Sequence, residues 1–123
     1  IYGEYVTEYT RKGSNLFAII TNDGWWDVSE GHKQHLSYAK LRAIENRRNI
    51  VRSANTGISA VINYKGEIIK SIGYGEEGFI NTEVSLLNKK TFYVIYGDFI
   101  FRLSLFFLII ITLHFLATTL RIK

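Results

Sequence analysis

The sequence predicts an α/β fold followed by one transmembrane helix. Between residues 16 and 66, an apolar run, a polar loop, a segment with helical periodicity and further apolar runs follow one another. From residue 99 onward the chain becomes almost entirely apolar. Strand, loop, helix and strand in this order form an α/β unit, and open α/β sheets carry their sites at the carboxyl ends of their strands.

The first strand of this unit is predicted at Leu16–Thr21, where apolar residues follow one another without a break. Such a run is typical of a strand in a sheet with helices on both faces, so we expect it to be largely buried. Residues 1–12 before it have the pattern of a helix, and Gly13 stands where helices often end.

The helix of the unit begins near His32. Its packed face is predicted from apolar residues three and four positions apart: Leu36, Ala39, Ala43 and Ile44. On the same helix Arg42 and Glu45 are three residues apart, so we expect a structural ion pair between them. His32 and His35 are also three apart, but no carboxylate or third histidine follows at ligand spacing, and we expect no metal site.

Three further strands are predicted at residues 50–55, 58–62 and 67–72, the last two joined by a turn at residues 63–66. Residues 58–62 are expected in the same sheet as the first strand and largely buried. Residues 79–84 have alternating character and are predicted as a last strand. Arg47 and Arg48, just after the helix, are interpreted as a solvated turn.

Composition limits what these residues can do. The chain of 123 residues contains no cysteine, which excludes disulfides, thiolate metal sites and a cysteine nucleophile within it. It contains no methionine, and its first residue falls inside an apparent helix, so we interpret it as part of a longer protein. The net charge of +4 is concentrated at the end of the chain, and residues 1–98 are close to neutral. That balance gives no indication of nucleic-acid binding.

Residues 99–123 form the second predicted unit. Residues 103–120 include 12 Leu, Ile or Phe side chains, which favour membrane insertion by about 4 to 7 kcal/mol and outweigh His114. We therefore predict one continuous transmembrane helix. Arg121 and Lys123 follow it directly, so the positive-inside rule places this end in the cytoplasm and the α/β unit on the opposite side.

The loop after the first strand is the candidate functional segment. It has the sequence Asn22-Asp23-Gly24-Trp25-Trp26, and paired tryptophans in a loop are unusual. The two side chains either pin the loop by packing, or form a pocket wall or an apolar surface near lipid. The residues themselves favour neither interpretation.

Four blocks, residues 22–26, 31–36, 42–45 and 52–59, together resemble the apolipoprotein N-acyltransferase family of the carbon–nitrogen hydrolase (nitrilase) superfamily. They read NDGWW, GHKQHL, RAIE and RSANTGIS, and both their order and their spacing match. The resemblance implies that residues 1–98 are the C-terminal part of a nitrilase-like four-layer αββα sandwich. It also implies that residues 99–123 are the family's final membrane helix.

The resemblance further implies the chemistry. A Glu–Lys–Cys triad takes an acyl chain from a phospholipid as a thioester and passes it to the diacylglyceryl-cysteine of a lipoprotein, without a cofactor. The partners are therefore a phospholipid acyl donor, a lipoprotein acceptor and membrane lipid. The location is the bacterial inner membrane, with the α/β domain in the periplasm.

None of the triad falls within these residues. The nucleophilic cysteine is expected just upstream of Ile1, with the glutamate and lysine further back, so the segment alone is expected to be inactive. The resemblance assigns a substrate-pocket wall to the following residues: Asn22, Asp23, Trp25, Trp26 and His35. It assigns structural support to Arg42 and Glu45. The family often has glycine after the aromatic pair, where this chain has Asp27.

Two other functions stay open on the sequence. A membrane-tethered nitrilase-like amidase would use water as the acceptor in place of an amine. A catalytically inactive, membrane-anchored binding domain would need no cysteine at all.

Overall fold

A computed structural model describes residues 2–27 and 29–121 of the chain. Its elements in order are α1 (Gly3–Arg11), β1 (Leu16–Thr21), α2 (Gly31–Asn46), β2 (Asn49–Ala54), β3 (Ser59–Ile62), β4 (Ile68–Ile72), α3 (Phe92–Tyr96) and α4 (Phe99–Arg121). A short 3₁₀ helix, Gly24–Trp26, lies between β1 and α2. The protein is therefore of the α/β class, with an apolar helix at its C-terminal end, as the sequence predicts.

The four strands form one sheet in the order β1-β2-β3-β4. β1 and β2 are parallel, joined through α2, while β2–β3 and β3–β4 are antiparallel pairs. The prediction that Leu16–Thr21 and residues 58–62 share a sheet is confirmed. Since parallel strands end at the same edge, the loops that follow β1 and β2 lie side by side.

The core lies between α2 and one face of the sheet. Its fully or almost fully buried members are Leu36, Ala39 and Ala43 of α2 with Ile50, Ala60 and Ile62 of the strands. Ile44 was expected on this packed face but is 50% exposed. It lies over the β3–β4 turn instead, where Gly66 has φ +81° and a Cβ would come within 2.8 Å of the Ile44 side chain.

The expected burial of β1 is wrong. Phe17 and Ile19 pack against the core, but Ala18 is exposed and Ile20 is 90% exposed. Successive side chains of a strand point to opposite faces. Within the described residues, the hydrophobic core covers only the face toward α2, so half of the apolar run faces outward.

The strand predicted at residues 79–84 is also wrong, because this segment is irregular. Side chains of β2 and β4 bond to the backbone of this segment and of the residue that follows it, where a strand would have backbone partners. Lys70 Nζ donates to the carbonyl of Asn81 (2.9 Å), and Asn49 Nδ2 donates to that of Ser85 (2.7 Å). The alternating pattern therefore reflects a segment that lies along the sheet without joining it.

Arg48 is buried, contrary to its interpretation as part of a solvated turn. Its Nε donates to the carbonyl of Ser14 (2.7 Å) and its Nη1 donates to that of Lys89 (2.7 Å). Burial lowers the pKa of this guanidinium from its ordinary value. The side chain joins the α1–β1 connection to the segment before α3, while Arg47 beside it stays exposed.

α4 runs unbroken through His114, which confirms the prediction of one continuous helix. Phe99–Leu120 contains 18 consecutive residues with a mean hydropathy of 2.3, none of them buried against other described residues, and it is long and apolar enough to cross a membrane. Its threonine hydroxyls bond within the helix, as Thr112 does to the carbonyl of Leu108 (2.8 Å). Polar groups satisfied in this way suit an apolar surrounding.

Candidate functional site

The loops after β1 and β2 meet at the carboxyl edge of the sheet. The backbone N–H of Asn55 donates to the carbonyl of Thr21 (3.0 Å), which continues the parallel pairing one step beyond the strands. Polar residues of both loops are thereby brought together. This edge is where α/β sheets place their sites.

Asp23 is the centre of the resulting polar cluster and is fully buried. Its Oδ2 accepts a hydrogen bond from Arg52 Nη2 at 2.5 Å. Its Oδ1 lies 2.9 Å from His35 Nδ1 and accepts from the Thr21 hydroxyl at 3.2 Å. Three elements, β1, α2 and β2, therefore converge on one carboxylate. We call Asp23, Arg52 and His35 the loop-anchoring cluster.

Asp23 keeps its charge in this setting. Burial alone raises the pKa of its carboxyl, but the hydrogen bonds from Arg52 and His35 outweigh burial and leave the pKa below its ordinary value. An ionised carboxylate can only accept hydrogen bonds, so the contact with His35 is a hydrogen bond when the ring carries its proton on Nδ1, which also lies 3.3 Å from Arg52 Nη2. In the neutral ring the remaining nitrogen, Nε2, is then an acceptor.

Gly57 allows the second loop to approach this cluster. A Cβ at this position would lie 2.3 Å from Asp23 Oδ2, closer than any real contact. Arg52 reinforces the approach, since its Nη1 donates to the carbonyl of Ile58. Arg52 therefore links the loop after β1, through Asp23, to the loop after β2, through Ile58. The two loops can lie this close because Gly57 has no side chain.

The two tryptophans have different environments. Trp26 packs edge-on against His35, with ring centroids 5.0 Å apart. Trp25 is 85% exposed and projects from the same turn. Asn22, also exposed, shapes that turn by accepting the Gly24 N–H at 3.0 Å. One indole therefore holds the loop and the other presents apolar surface outside it.

An open groove of about 520 Å³ lies beside the cluster, between α1, β1 and α2. His35 and Arg52 line it together with apolar residues that include Val6, Phe17 and Ile19. Of the five residues assigned to a substrate pocket, His35 lines this groove, whereas Asn22, Asp23, Trp25 and Trp26 do not. The structure thus brings Asp23, His35 and Trp26 together and leaves Asn22 and Trp25 at the surface. The assignment of these five residues to a substrate pocket stays a prediction.

The ion pair predicted between Arg42 and Glu45 is present, with Nη2 and Oε1 2.7 Å apart. It lies against α1 and α3, and the Thr91 hydroxyl donates to the carbonyl of Glu45. Burial raises the pKa of the Glu45 carboxyl above its ordinary value, despite the nearby guanidinium.

Arg52 is the site residue that the sequence reasoning did not single out. It stands inside a buried strand, between Val51 and Ser53, and its side chain is fully buried. An arginine within an apolar strand is seldom buried without a partner. That single charge could have indicated a buried carboxylate, although not which one.

Among residues 2–27 and 29–121, no group of three or more His, Cys, Asp or Glu side chains is placed to hold a metal ion. His32, the partner of His35 in the sequence pattern, packs against the Tyr74 ring with centroids 4.5 Å apart. The two histidines therefore make contacts with different residues.

Residues 1–88 match the family model described as Carbon-nitrogen hydrolase. The apolipoprotein N-acyltransferase of Geobacter metallireducens is 42% identical over 98 residues, which are 80% of this chain and 19% of that protein. That of Bradyrhizobium diazoefficiens is 47% identical over 79 residues, 64% of this chain and 15% of the relative. That of Borreliella burgdorferi is 35% identical over 115 residues, 94% of this chain and 21% of the relative. The chain thus matches about a fifth of the length of these curated relatives.

Proposed function

Because the chain belongs to the carbon–nitrogen hydrolase family, we propose that it is part of a membrane-bound N-acyltransferase. The enzyme moves a fatty acyl group from a phospholipid to the amino group of the diacylglyceryl-cysteine of a lipoprotein. A cysteine thiolate attacks the phospholipid ester, releases a lysophospholipid and becomes a thioester. The lipoprotein amine then attacks the thioester, forms the amide and returns the thiol.

One observation carries the proposal. A segment that matches the carbon–nitrogen hydrolases is followed within the same chain by a helix long and apolar enough to cross a membrane. An amide hydrolase acting on soluble substrates needs no such helix, whereas an enzyme that takes acyl groups from phospholipid must work at a bilayer. The names of the similar proteins agree with the second case.

In this proposal the chain supplies the support of the site, not its nucleophile. The 123 residues contain no cysteine. The thiol and its glutamate and lysine partners belong to sequence outside them, with the cysteine just before Ile1. The sheet face that carries Ala18 and Ile20, opposite to α2, packs against a second sheet in a four-layer sandwich. The domain lies in the periplasm, and the end of the chain with Arg121 and Lys123 lies in the cytoplasm.

The loop-anchoring cluster gives the wall of the acyl pocket a fixed position. Asp23 is charged, buried and bonded from three elements, so the turn that follows it has little freedom. Trp26 packs on His35, and Trp25 extends from the same turn with 85% of its surface exposed. An exposed indole held by a rigid turn suits contact with an acyl chain or the membrane interface.

The test is Trp25→Ala in the full-length protein, with lipoprotein acylation and thermal unfolding measured together. We expect transfer to slow by about tenfold or more, because burying a large apolar side chain contributes roughly 1.5–3 kcal/mol. The unfolding temperature should hardly change, since the side chain is exposed. Trp25→Phe is the matched control and should keep most activity. Normal acylation by Trp25→Ala would remove the residue from the site.

Product analysis separates the proposal from its alternatives. Acylated lipoprotein with one lysophospholipid released per turnover is the expected result. Free fatty acid or ammonia without amide formation would identify a hydrolase that uses water. Substrate binding without any product would identify a binding domain.

A further inference from the structure

The short helix α3 has one packed side and one uncovered side. Val94 is fully buried, and the Thr91 hydroxyl caps the helix by accepting the Val94 N–H at 3.1 Å. On the other side Phe92, Ile95 and Tyr96 are 58%, 56% and 56% exposed. Three large side chains exposed within five residues form an apolar surface with nothing against it among the described residues.

This surface is continuous with the start of α4. The ring of Phe92 lies 4.4 Å from that of Tyr96 and 5.0 Å from that of Phe99, measured between centroids. Phe99 is the first residue of α4, and two residues separate the helices. We call Phe92, Ile95, Tyr96 and Phe99 the aromatic face.

The aromatic face cannot turn inward, because α3 is fixed to the folded domain. Arg11 Nε donates to the carbonyl of Val94 at 2.6 Å. Beyond the helix, Glu4 Oε1 accepts the Asp98 N–H at 2.9 Å and the Arg102 guanidinium at 3.1 Å. Gly97 makes this approach possible, since its φ is +70° and a Cβ would lie 2.5 Å from the Glu4 carboxylate.

Positive charge flanks the aromatic face. Lys89 and Lys90 precede α3 and are exposed, and Lys90 Nζ also donates to the carbonyl of Arg11 at 3.3 Å. Arg102 follows near the start of α4, where it pairs with Glu4, so the positive charge beside the aromatic face comes from the two lysines. Aromatic side chains with polar tips concentrate at the level of lipid headgroups, and basic side chains beside them are attracted to anionic headgroups. The pattern is that of a helix lying in a membrane surface.

We propose that the aromatic face lies in the interfacial layer of the same bilayer that α4 spans, with Lys89 and Lys90 against anionic lipid headgroups. The proposal rests on the membrane span assumed in the proposed function. α3 thereby acts as a second membrane contact. Because α3 is bonded to α1 and α2, this contact holds the α/β domain at one height and orientation above the lipid, instead of leaving it free on a single tether.

Nitroxide labels in vesicles of phosphatidylcholine and phosphatidylglycerol test this placement. Single cysteines are introduced as Tyr96→Cys, Ile109→Cys and Lys65→Cys in the full-length protein, with any cysteine elsewhere replaced by serine. Collision with oxygen reports apolar surroundings, and collision with a water-soluble nickel chelate reports water. Ile109 marks the middle of α4, and Lys65 marks the exposed β3–β4 turn.

We expect the label at position 96 to be at least severalfold less accessible to nickel than that at 65, and more accessible than that at 109. Equal accessibility at 96 and 65, with 109 protected, overturns the interfacial helix while leaving the span intact. Nickel access at 109 overturns the span and with it this inference.

The lysines are tested in the same assay. With the label at position 96, the double substitution Lys89→Gln/Lys90→Gln should raise nickel accessibility in vesicles that contain phosphatidylglycerol. The increase should be absent in pure phosphatidylcholine. No increase in either lipid would overturn the role given to the lysines. A matched pair, Lys65→Gln/Lys70→Gln in the β3–β4 hairpin, should have no effect.

Discussion

Two carboxylates of this molecule, Asp23 and Glu45, each pair with an arginine, yet the pKa values of their carboxyl groups shift in opposite directions. Asp23 lies 2.5 Å from Arg52, and the pKa of its carboxyl is lowered. Glu45 lies 2.7 Å from Arg42, and the pKa of its carboxyl is raised. An arginine neighbour alone therefore does not decide the charge of a buried acid.

The difference lies in how many donors reach each carboxylate. Burial raises the pKa of both groups. Asp23 offsets this with hydrogen bonds from Arg52 and His35, one to each carboxylate oxygen. Among the described residues, Glu45 Oε2 is buried without a hydrogen-bond partner. A buried charge is stable only when its remaining lone pairs are also satisfied.

The two acids therefore have different structural roles. Asp23 is a permanent charge that fixes two loops to each other at the carboxyl edge of the sheet. Glu45 is an acid with a raised pKa at the contact between α1, α2 and α3. Substitutions at the two positions should therefore have effects of different size and opposite pH dependence.

Asp23→Asn should be the most damaging of these changes. It leaves Arg52 buried without its counter-charge, and removing one partner of a buried pair costs about 3–5 kcal/mol. The measurement is chemical unfolding of the protein in detergent, followed by circular dichroism. Glu45→Gln, the same chemical change at the other acid, is the matched control. A loss below about 1 kcal/mol for Asp23→Asn would mean that Arg52 finds another partner.

Gly57→Ala should have the next largest effect. The added methyl group would lie 2.3 Å from Asp23 Oδ2, so the two loops must separate. Overpacking of this kind costs about 1–3 kcal/mol. Gly78→Ala is the control, because its nearest contact is the end of the Ile72 side chain at 3.3 Å, and it should change stability by less than ~0.5 kcal/mol. Equal effects in the same unfolding assay would contradict the close approach at Asp23.

Acid should remove the contribution of Asp23 to stability. A lowered folded-state pKa means that the stabilisation is present above the unfolded value, about 3.9, and is lost as the pH falls through the folded value. The unfolding free energy of the wild type should therefore fall steeply below about pH 4. Asp23→Asn should flatten this limb in a pH series of denaturant titrations. An unchanged slope would show that other groups cause the acid loss.

Local patterns predicted much of the fold. Helix α2, its ion pair between Arg42 and Glu45, and the continuous helix α4 depend on residues close in sequence, so spacing and composition are enough to find them. The prediction of strand 79–84 failed because alternation describes one face of a segment and not its backbone partners. The burial of Arg48 was not predicted because the carbonyls that accept its hydrogen bonds belong to Ser14 and Lys89, which are far from it in sequence.

The candidate site could be predicted only in part from the sequence. The loop after β1 could be selected because it follows a strand in an α/β unit. The bond between Asp23 and Arg52 spans 29 positions, and that between Asp23 and His35 spans 12. No local pattern links residues at such separations. The parallel pairing of β1 and β2 brings them together, and that pairing is a property of the whole sheet.

Glu45→Gln should be the mildest of these changes at neutral pH, within about 1 kcal/mol of the wild type, because the lost attraction to Arg42 is offset by the removal of a poorly solvated charge. Its clearer effect is on the pH profile. A raised folded-state pKa means that the stabilisation is present below the unfolded value, about 4.3, and is lost as the pH rises through the folded value.

The wild type should therefore gain stability from Glu45 as the pH falls through the folded value toward the unfolded value, about 4.3. Glu45→Gln should remove that gain while keeping the loss of stability in acid that is due to Asp23. Denaturant titrations across this range measure both slopes in one experiment. If Glu45→Gln lowered the unfolding free energy by about 3 kcal/mol at neutral pH, Glu45 would be a charge stabilised by its surroundings, as Asp23 is. The contrast in donor number would then not explain how this protein holds its buried acids, since Oε2 would have to be satisfied by water or by a group from outside these residues.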